Sequence, residues 1–202
     1  MRLEKGTTIT DYTYDSGKNY VTSVEDPLGN SISLGYDTHG NKTSQTDGKG
    51  NTTAYQYDNR NLLTKVTDAN LNETLYGYDG AGNRTTVTDA KNNQTTYDYN
   101  EFNLVSSFTN PLNQVTEFEY DKNGNKTDII LPNGNQVSYG YNALNRLDSI
   151  YYNSVQKWDL AYDRNGNLTS VTDNDTGVTT TYSYDQNNRL TSQEEGATNS
   201  ID

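Results

Sequence analysis

Aromatic and β-branched side chains recur at every second position in short runs along the chain. Thr53-Ala54-Tyr55-Gln56-Tyr57 and Thr95-Thr96-Tyr97-Asp98-Tyr99 are two such runs. A second kind of run, as in Thr64-Lys65-Val66, Thr85-Thr86-Val87 and Thr127-Asp128-Ile129, places Thr and an aliphatic residue two apart. A period of two predicts strands with one face of Thr, Val or Ile and Tyr, and the other mostly of Lys, Gln, Glu, Ser and Thr. Between the runs lie clusters such as Asp37-Thr38-His39-Gly40-Asn41 and Asp47-Gly48-Lys49-Gly50-Asn51. Asp or Asn first, Pro tolerated second and Gly or Asn fourth is the chemistry of a type I turn closed by a left-handed residue. All three prolines sit in the second such slot of a unit, at Pro27, Pro111 and Pro132. The chain therefore reverses about every 10 residues, no helix fits in the gaps, and the expectation is an all-β meander of short antiparallel strands.

The runs are periodic. Tyr-Asp-like steps stand at Tyr14-Asp15, Tyr36-Asp37, Tyr57-Asp58, Tyr78-Asp79, Tyr99-Asn100, Tyr120-Asp121, Tyr141-Asn142, Tyr162-Asp163 and Tyr184-Asp185. The intervals are 22, six of 21, and 22. A second aromatic slot two residues earlier holds Tyr55, Tyr76, Tyr97, Tyr139 and Tyr182. The turn after the Tyr-Asp step alternates between Gly-Asn (Gly40-Asn41, Gly82-Asn83, Gly124-Asn125, Gly166-Asn167) and Asn followed by Leu or Arg (Asn61-Leu62, Asn103-Leu104, Asn145-Arg146, Asn188-Arg189). A double repeat of about 42 residues follows. Because 21 is odd, a one-residue slip would turn the aromatic face over. A three-residue loop at one turn and a four-residue loop at the other resolves this, with Val66 opposite Thr74, Thr64 opposite Tyr76, and Tyr78 opposite Asn83. The organisation expected is a lead-in over residues 1–10, tandem units over 11–190, and a partial repeat with a frayed tail over 191–202.

Composition sharpens this reading. Leu, Ile, Val and Phe number 34 of 202 residues, against 27 acidic and 15 basic side chains, a balance typical of disorder. Yet there are 18 Tyr, 29 Thr and 28 Asn, so the packing area is carried by residues that such scales undercount. No run approaches the 18 or so apolar residues of a transmembrane helix, and strands of about six residues are too short for a membrane barrel. Cys is absent and His39 stands alone, which excludes thiolate chemistry, zinc-binding His pairs and triads. The net charge of −12 argues against nucleic-acid binding. The Asn-x-Ser/Thr sequons at Asn41, Asn51, Asn72, Asn83, Asn93, Asn125 and Asn167 are products of the repeat.

The pattern Tyr-Asp-x-x-Gly-Asn-x5-Asp-x-x-Gly-Asn-x-Thr-x-Tyr-x-Tyr-Asp-x-x-Asn-Arg-Leu resembles the YD repeat, also called the Rhs repeat. Tyr36 to Asn61 and Tyr162 to Leu190 carry it nearly whole, and it extends over residues 11–190. The family includes bacterial Rhs and wall-associated proteins, toxin-complex encapsulating subunits and teneurins. The resemblance implies β-hairpins joined into one curved or spiralling sheet, an open segment of a hollow shell that in the toxins encloses an effector. It also implies a secreted or cell-surface setting and a link to adhesion and carbohydrate binding. The family's self-cleaving core and effector have no counterpart in these residues. Asp26-Pro27-Leu28-Gly29 resembles part of that core only superficially and reads as a repeat turn. Nine units are few for a large cargo, and the periodic pattern runs to both ends, so the chain reads as a piece of something longer.

Candidate sites are weighed against the demands of the fold. The repeated Asp admits a calcium-ligand reading, but Asn100 and Asn142 fill the same slot, and what Asp and Asn share is an oxygen that accepts a backbone N–H two residues on. No catalytic residue, metal ligand or cofactor is assigned. Tyr14, Tyr36, Tyr55, Tyr57, Tyr76, Tyr78, Tyr97, Tyr99, Tyr120, Tyr139, Tyr141, Tyr162, Tyr182 and Tyr184, with Asp15, Asp37, Asp58, Asp79, Asp121, Asp163 and Asp185, are read as structural repeat residues. The expected function is a non-enzymatic scaffold or encapsulating shell module whose partners are other parts of the same polypeptide. A glycan-binding or adhesion module using exposed Tyr and Asn is the alternative. Neither nucleic acid nor membrane insertion is expected, and terminal strands are expected to fray or to associate edge to edge.

Overall fold

The computed structural model describes residues 9–196, which hold 18 strands and no helix. They divide into two units, residues 1–96 and 97–202. The first carries β1 (Asp11–Tyr14), β2 (Val21–Glu25), β3 (Ser31–Tyr36), β4 (Lys42–Thr46), β5 (Thr52–Tyr57), β6 (Leu63–Thr67), β7 (Glu73–Tyr78) and β8 (Arg84–Thr88). Strand β9 (Gln94–Tyr99) crosses the boundary. The second unit continues with β10 (Val105–Thr109), β11 (Val115–Tyr120), β12 (Lys126–Ile130), β13 (Gln136–Tyr141), β14 (Leu147–Tyr152), β15 (Val155–Tyr162), β16 (Leu168–Asp173), β17 (Thr179–Tyr184) and β18 (Leu190–Gly196). Within each unit every strand pairs antiparallel with its neighbours in sequence, forming an open meander. The expected all-β hairpin architecture is present. Residues 1–8 of the lead-in and 197–202 of the tail lie outside the described residues. Thr191–Gly196, expected as frayed, continue β18 in register with β17, with Glu194 opposite Thr181 and Glu195 opposite Thr180.

The layer is one sheet thick. Among the described residues no apolar side chain is fully buried, and only Thr116 and Ser149 are nearly inaccessible, at 7% and 9% exposure. Packing happens side by side on the aromatic face. Tyr55 lies opposite Val66, Tyr76 opposite Val87, Phe118 opposite Ile129 and Tyr139 opposite Ile150. Aromatic with β-branched is a favourable cross-strand pair, worth about 0.2–1 kcal/mol. The intervening aliphatic thus interleaves between rings of successive units.

The odd period is reconciled differently from the expected four-residue loop. Both turns have three-residue loops. At Asp68 the N–H donates to the Asn72 carbonyl (2.9 Å) and Leu71 N–H to the Asp68 carbonyl (3.0 Å); at Asp79 the partners are Asn83 (3.0 Å) and Gly82 (3.2 Å). The extra residue sits in a β-bulge instead. Gly77 pairs with Thr86 but Tyr78 with Arg84, and not with Asn83, so two residues of β8 face the one Tyr. The same shift precedes Tyr36, Tyr57, Tyr120, Tyr141, Tyr162 and Tyr184. The hairpin without a bulge matches expectation, with Val66 opposite Thr74. A bulge and a loop residue both add one to the count, so parity alone does not distinguish them.

The bulge also produces a stagger. Following the ladder from Tyr55 through Val66 leads to Thr74, two residues before the equivalent Tyr76. In the second unit Phe118 leads through Ile129 to Val137, two residues before Tyr139. Equivalent residues therefore climb about 6.8 Å along the strand for every two strands crossed, a tilt of about 35°.

Glycine is required where left-handed backbone meets a neighbour. Gly40 has φ of 85°, and the Tyr20 phenol covers its α-carbon so closely that an added Cβ would overlap the ring. Tyr20 in turn stacks on Tyr36 with centroids 4.9 Å apart. Gly29 has a similar φ of 83° but nothing within 4 Å of the Cβ position. Gly29→Ala should therefore cost only the left-handed strain, about 1–2 kcal/mol. Gly40→Ala should cost more, by the displaced Tyr20–Tyr36 stack, when the two are compared by chemical denaturation.

Candidate functional site

Three devices repeat along the chain, and the sequence-selected Tyr and Asp residues divide among them. The first is the turn carboxylate. Asp37 Oδ1 accepts the N–H groups of His39 (2.8 Å) and Asn41 (2.9 Å), while its Oδ2 accepts the Asn41 amide (2.9 Å). The same three bonds recur at Asp79 and Asp163 after the Tyr-Asp step, and at Asp47 and Asp68 in the other turn. Where Asn stands instead, its Oδ1 takes the same two N–H groups, as Asn100 does from Phe102 and Leu104 (both 3.0 Å). Asp58 and Asp185 replace the Asn amide with a guanidinium, from Arg60 (3.1 Å) and Arg189 (2.7 Å). Asp15 closes a longer loop, accepting N–H groups from Asn19 and Tyr20.

These bonds hold the carboxyls below their ordinary value of 3.8 wherever an Asp fills the slot. The Asn side chain is the largest cause at Asp37, Asp47, Asp79, Asp121 and Asp163, and the Leu62 and Arg189 N–H groups are the largest at Asp58 and Asp185. A depressed folded pKa contributes stability that is fully present above the unfolded value and is lost as pH falls through the folded one. Thermal melts should therefore be flat at neutral pH and fall progressively from about pH 4 downward. Units with Asn in the slot contribute nothing to that fall. The oxygens are already engaged by N–H donors, so calcium should leave the melting temperature unchanged, as a titration checks.

The second device belongs to the Tyr of the Tyr-Asp step. The hydroxyl of Tyr57 donates to the carbonyl of Lys42 (3.0 Å), that of Tyr78 to Leu63 (2.8 Å), Tyr120 to Val105 (2.8 Å), Tyr141 to Lys126 (2.9 Å) and Tyr162 to Leu147 (2.8 Å). The acceptor is 15 residues earlier in all five. Lys42, Leu63, Lys126 and Leu147 are themselves the bulge residues opposite Tyr36, Tyr57, Tyr120 and Tyr141. Each ring thus fastens its own hairpin to the bulge of the one before, where the ladder is disrupted. Burial pushes the phenols of Tyr57, Tyr120 and Tyr141 up from 10.0. Tyr55, Tyr76, Tyr97, Tyr139 and Tyr182, two residues earlier, serve instead as half-buried ring surface. Cations of the bulge or loop cover this face, with Lys42 Nζ 4.6 Å from the Tyr55 centroid and the Arg146 guanidinium 4.8 Å from that of Tyr162. On the first strand Tyr12 and Tyr14 are exposed.

The third device explains the 42-residue alternation. In one loop type the left-handed residue is Asn, with φ of 63° at Asn61 and 57° at Asn145. Its side-chain oxygen accepts the amide of the preceding loop, Asn41 to Asn61 (2.8 Å) and Asn125 to Asn145 (3.1 Å). In the other type it is Gly, and the residue after the preceding Asn packs beside it, as Leu62 does at Gly82 and Leu104 at Gly124. Arg60 and Arg146 add bonds to the next loop's carbonyls, at Asp79 (2.7 Å) and Asp163 (3.1 Å). Amide tie and packed contact alternate, so two loop sequences alternate with them.

Among the described residues no three His, Cys, Asp or Glu side chains are grouped to hold a metal ion. His39 is an exposed loop residue. The five hydroxyl bonds were not signalled by periodicity, because a repeated Tyr reads equally well as ring surface alone. The shortest hairpin turn departs from the pattern. Strands β14 and β15 are joined by the two-residue turn Asn153-Ser154, with φ of 48° and 65°, and Asn153 bonds back to Gln136 and Asn135.

Comparison with known proteins places these devices. The family described as RHS Repeat matches in six stretches, residues 19–52, 36–73, 57–94, 78–107 and 99–135, which overlap in succession, and 162–198. A tRNA nuclease WapA of Bacillus subtilis (strain 168) is 52% identical over 44 residues, which are 22% of this chain and 2% of that protein. A tRNA3(Ser)-specific nuclease WapA of Bacillus spizizenii is likewise 52% identical over 44 residues and the same shares. The chain thus spans a small fraction of the curated relatives that it matches. Among solved structures, the Photorhabdus luminescens Tc holotoxin pore aligns with a TM-score of 0.64 at 21% identity, over 80% of this chain and 10% of that one. A TcdB2-TccC3-TEV structure aligns with a TM-score of 0.55 at 15% identity, over 93% of this chain and 15% of that one. At these identities the likeness is one of fold.

Proposed function

The chain belongs to the RHS repeat family, a structural repeat scaffold, and on that premise we propose that it is a length of non-enzymatic wall in a longer secreted or cell-surface polypeptide, enclosing another segment of that polypeptide. The observation that carries this reading is the Tyr hydroxyl bond to the carbonyl 15 residues back, made by Tyr57, Tyr78, Tyr120, Tyr141 and Tyr162. It commits the most regular side chain of the sequence to joining hairpins. The turn carboxylates are committed in the same way to backbone N–H groups. Catalysis by the relatives named as nucleases would then belong to residues outside the stretch they share with this chain. Limited proteolysis of the full-length parent polypeptide tests the reading. Segments outside the repeats should resist protease in the parent and become digestible when Tyr57, Tyr78 and Tyr141 are together replaced by Ala. Equal digestion of both proteins would overturn enclosure.

A further inference from the structure

The face opposite the rings is not uniform, and on the second unit two departures from the repeat fall together there. The first concerns the turn at Leu131. Its backbone is that of the other three-residue loops, with Leu131 N–H on the Asn135 carbonyl (2.8 Å) and Gly134 N–H on the Leu131 carbonyl (2.9 Å). The Asp or Asn that accepts two N–H groups at residues 26, 47, 68, 89 and 110 is replaced by an aliphatic residue. Only Asn133 remains as a side-chain acceptor, to Asn135 N–H (3.0 Å). In place of the lost bonds stands an open groove of about 750 Å³, walled by Val115, Ile130, Leu131 and Pro132 with Glu117 at its margin.

The second departure is electrostatic. Glu119 on β11 lies directly opposite Asp128 on β12, a like-charge pair that costs stability. Glu117, two residues from Glu119 on the same face, extends the negative row to the groove. The one cation of these strands, Lys126, is turned to the opposite face, 4.2 Å from the Phe118 centroid. Two local rules are thus broken side by side, and the sheet offsets them only in part: Asp128 Oδ1 accepts the Gln136 amide (2.7 Å) and the Ser138 hydroxyl (2.6 Å), and Asn135 Oδ1 accepts the Asn153 amide (3.0 Å). Such violations mark function more often than defect.

The geometry points to a docking surface for an extended basic polypeptide segment, one aliphatic side chain entering the Val115–Ile130–Leu131–Pro132 groove and flanking Lys or Arg side chains meeting Glu117, Glu119 and Asp128. The partner's chemistry follows from complementarity: the surface offers acceptors and negative charge beside an apolar slot, and no cation to greet an acidic partner. This inference stands apart from the scaffold reading, since a wall that binds nothing here is still a wall.

Three peptides of about ten residues, alternating Lys/Leu, Lys/Ser and Glu/Leu, test it on the 202-residue chain by calorimetry and methyl NMR. The Lys/Leu peptide should bind about tenfold more tightly than Lys/Ser, and Glu/Leu should not bind. Shifts should centre on the Val115, Ile130 and Leu131 methyls, and binding should weaken with salt. Leu131→Asp supplies the missing turn acceptor, so the fold should be kept or stabilised while the groove is lost. That variant is more negative, so a mere charge effect predicts tighter binding, whereas docking predicts that Lys/Leu affinity falls to that of Lys/Ser. Joint Glu117→Gln and Glu119→Gln should weaken both Lys peptides. Equal binding of the two Lys peptides, undiminished binding to Leu131→Asp, or shifts centred elsewhere would overturn the inference.

Discussion

Replacing Tyr78 by Phe is expected to destabilise the chain by about 1–3 kcal/mol, although the ring and its packing are kept. The lost group is the hydroxyl that donates to the Leu63 carbonyl at 2.8 Å. Leu63 pairs with Tyr57 at a bulge, so its carbonyl would be left half-buried and short of a donor. An unsatisfied group costs more than the net worth of the bond it made. Tyr76→Phe is the internal control. Tyr76 offers its ring to Val87 and to the Arg84 guanidinium, 6.0 Å from the centroid, and its hydroxyl is not among the hydroxyl–carbonyl bonds. That change should stay within about 0.5 kcal/mol. Urea denaturation of both variants beside the parent measures the difference. Equal effects would reduce the Tyr of the Tyr-Asp step to ring surface.

A fragment of three or four units, residues 36–120 for example, is expected to lose its structure altogether. No apolar side chain among the described residues is fully buried, so there is no central core that a fragment could retain. Each hairpin is held by its two neighbours through cross-strand pairs, loop ties and hydroxyl bonds, each worth on the order of 1 kcal/mol. In such quasi-one-dimensional arrays stability is a sum of unit terms and interface terms. Removing units removes interfaces while leaving two exposed ends. Far-UV circular dichroism of the fragment should show a disordered chain, and longer fragments should gain melting temperature with each pair of units added. A fragment that melts like the whole would show that stability is local to each hairpin.

Much of this architecture is legible in the sequence because the repeat prints each structural demand nine times over. The spacing of Tyr14, Tyr36 and their successors sets the strand order, and the Asp-x-x-Gly-Asn clusters set the turns. The Gly40 and Asn61 alternation sets the double unit, now matched by amide ties at Asn and packed contacts beside Gly. What escapes is whatever leaves the residue count unchanged. A bulge before Tyr78 and a fourth residue in the following loop give the same period, so the parity that demands one of them cannot choose. The Tyr hydroxyl partner is likewise a backbone carbonyl, with no residue type to betray it. The Asn153-Ser154 turn keeps the 21-residue interval from Tyr141 to Tyr162 by lengthening β15 as it shortens the loop. The groove at Leu131 leaves a trace only as the second-turn slot where an acceptor is replaced by an aliphatic residue.

Pairing of each strand with its sequence neighbours has a mechanical consequence. Pulled by its ends, such a meander is loaded in peeling rather than in shear, so ladder bonds break in succession and the force never falls on a whole strand at once. What resists is the staggered hydroxyl fastening, which reaches back 15 residues and must open before the next hairpin is free. Extension should therefore be a series of small, nearly equal steps about 21 residues apart. Recovery should be as rapid as its contacts are local. A sheet of this kind yields to traction from one end, unit by unit.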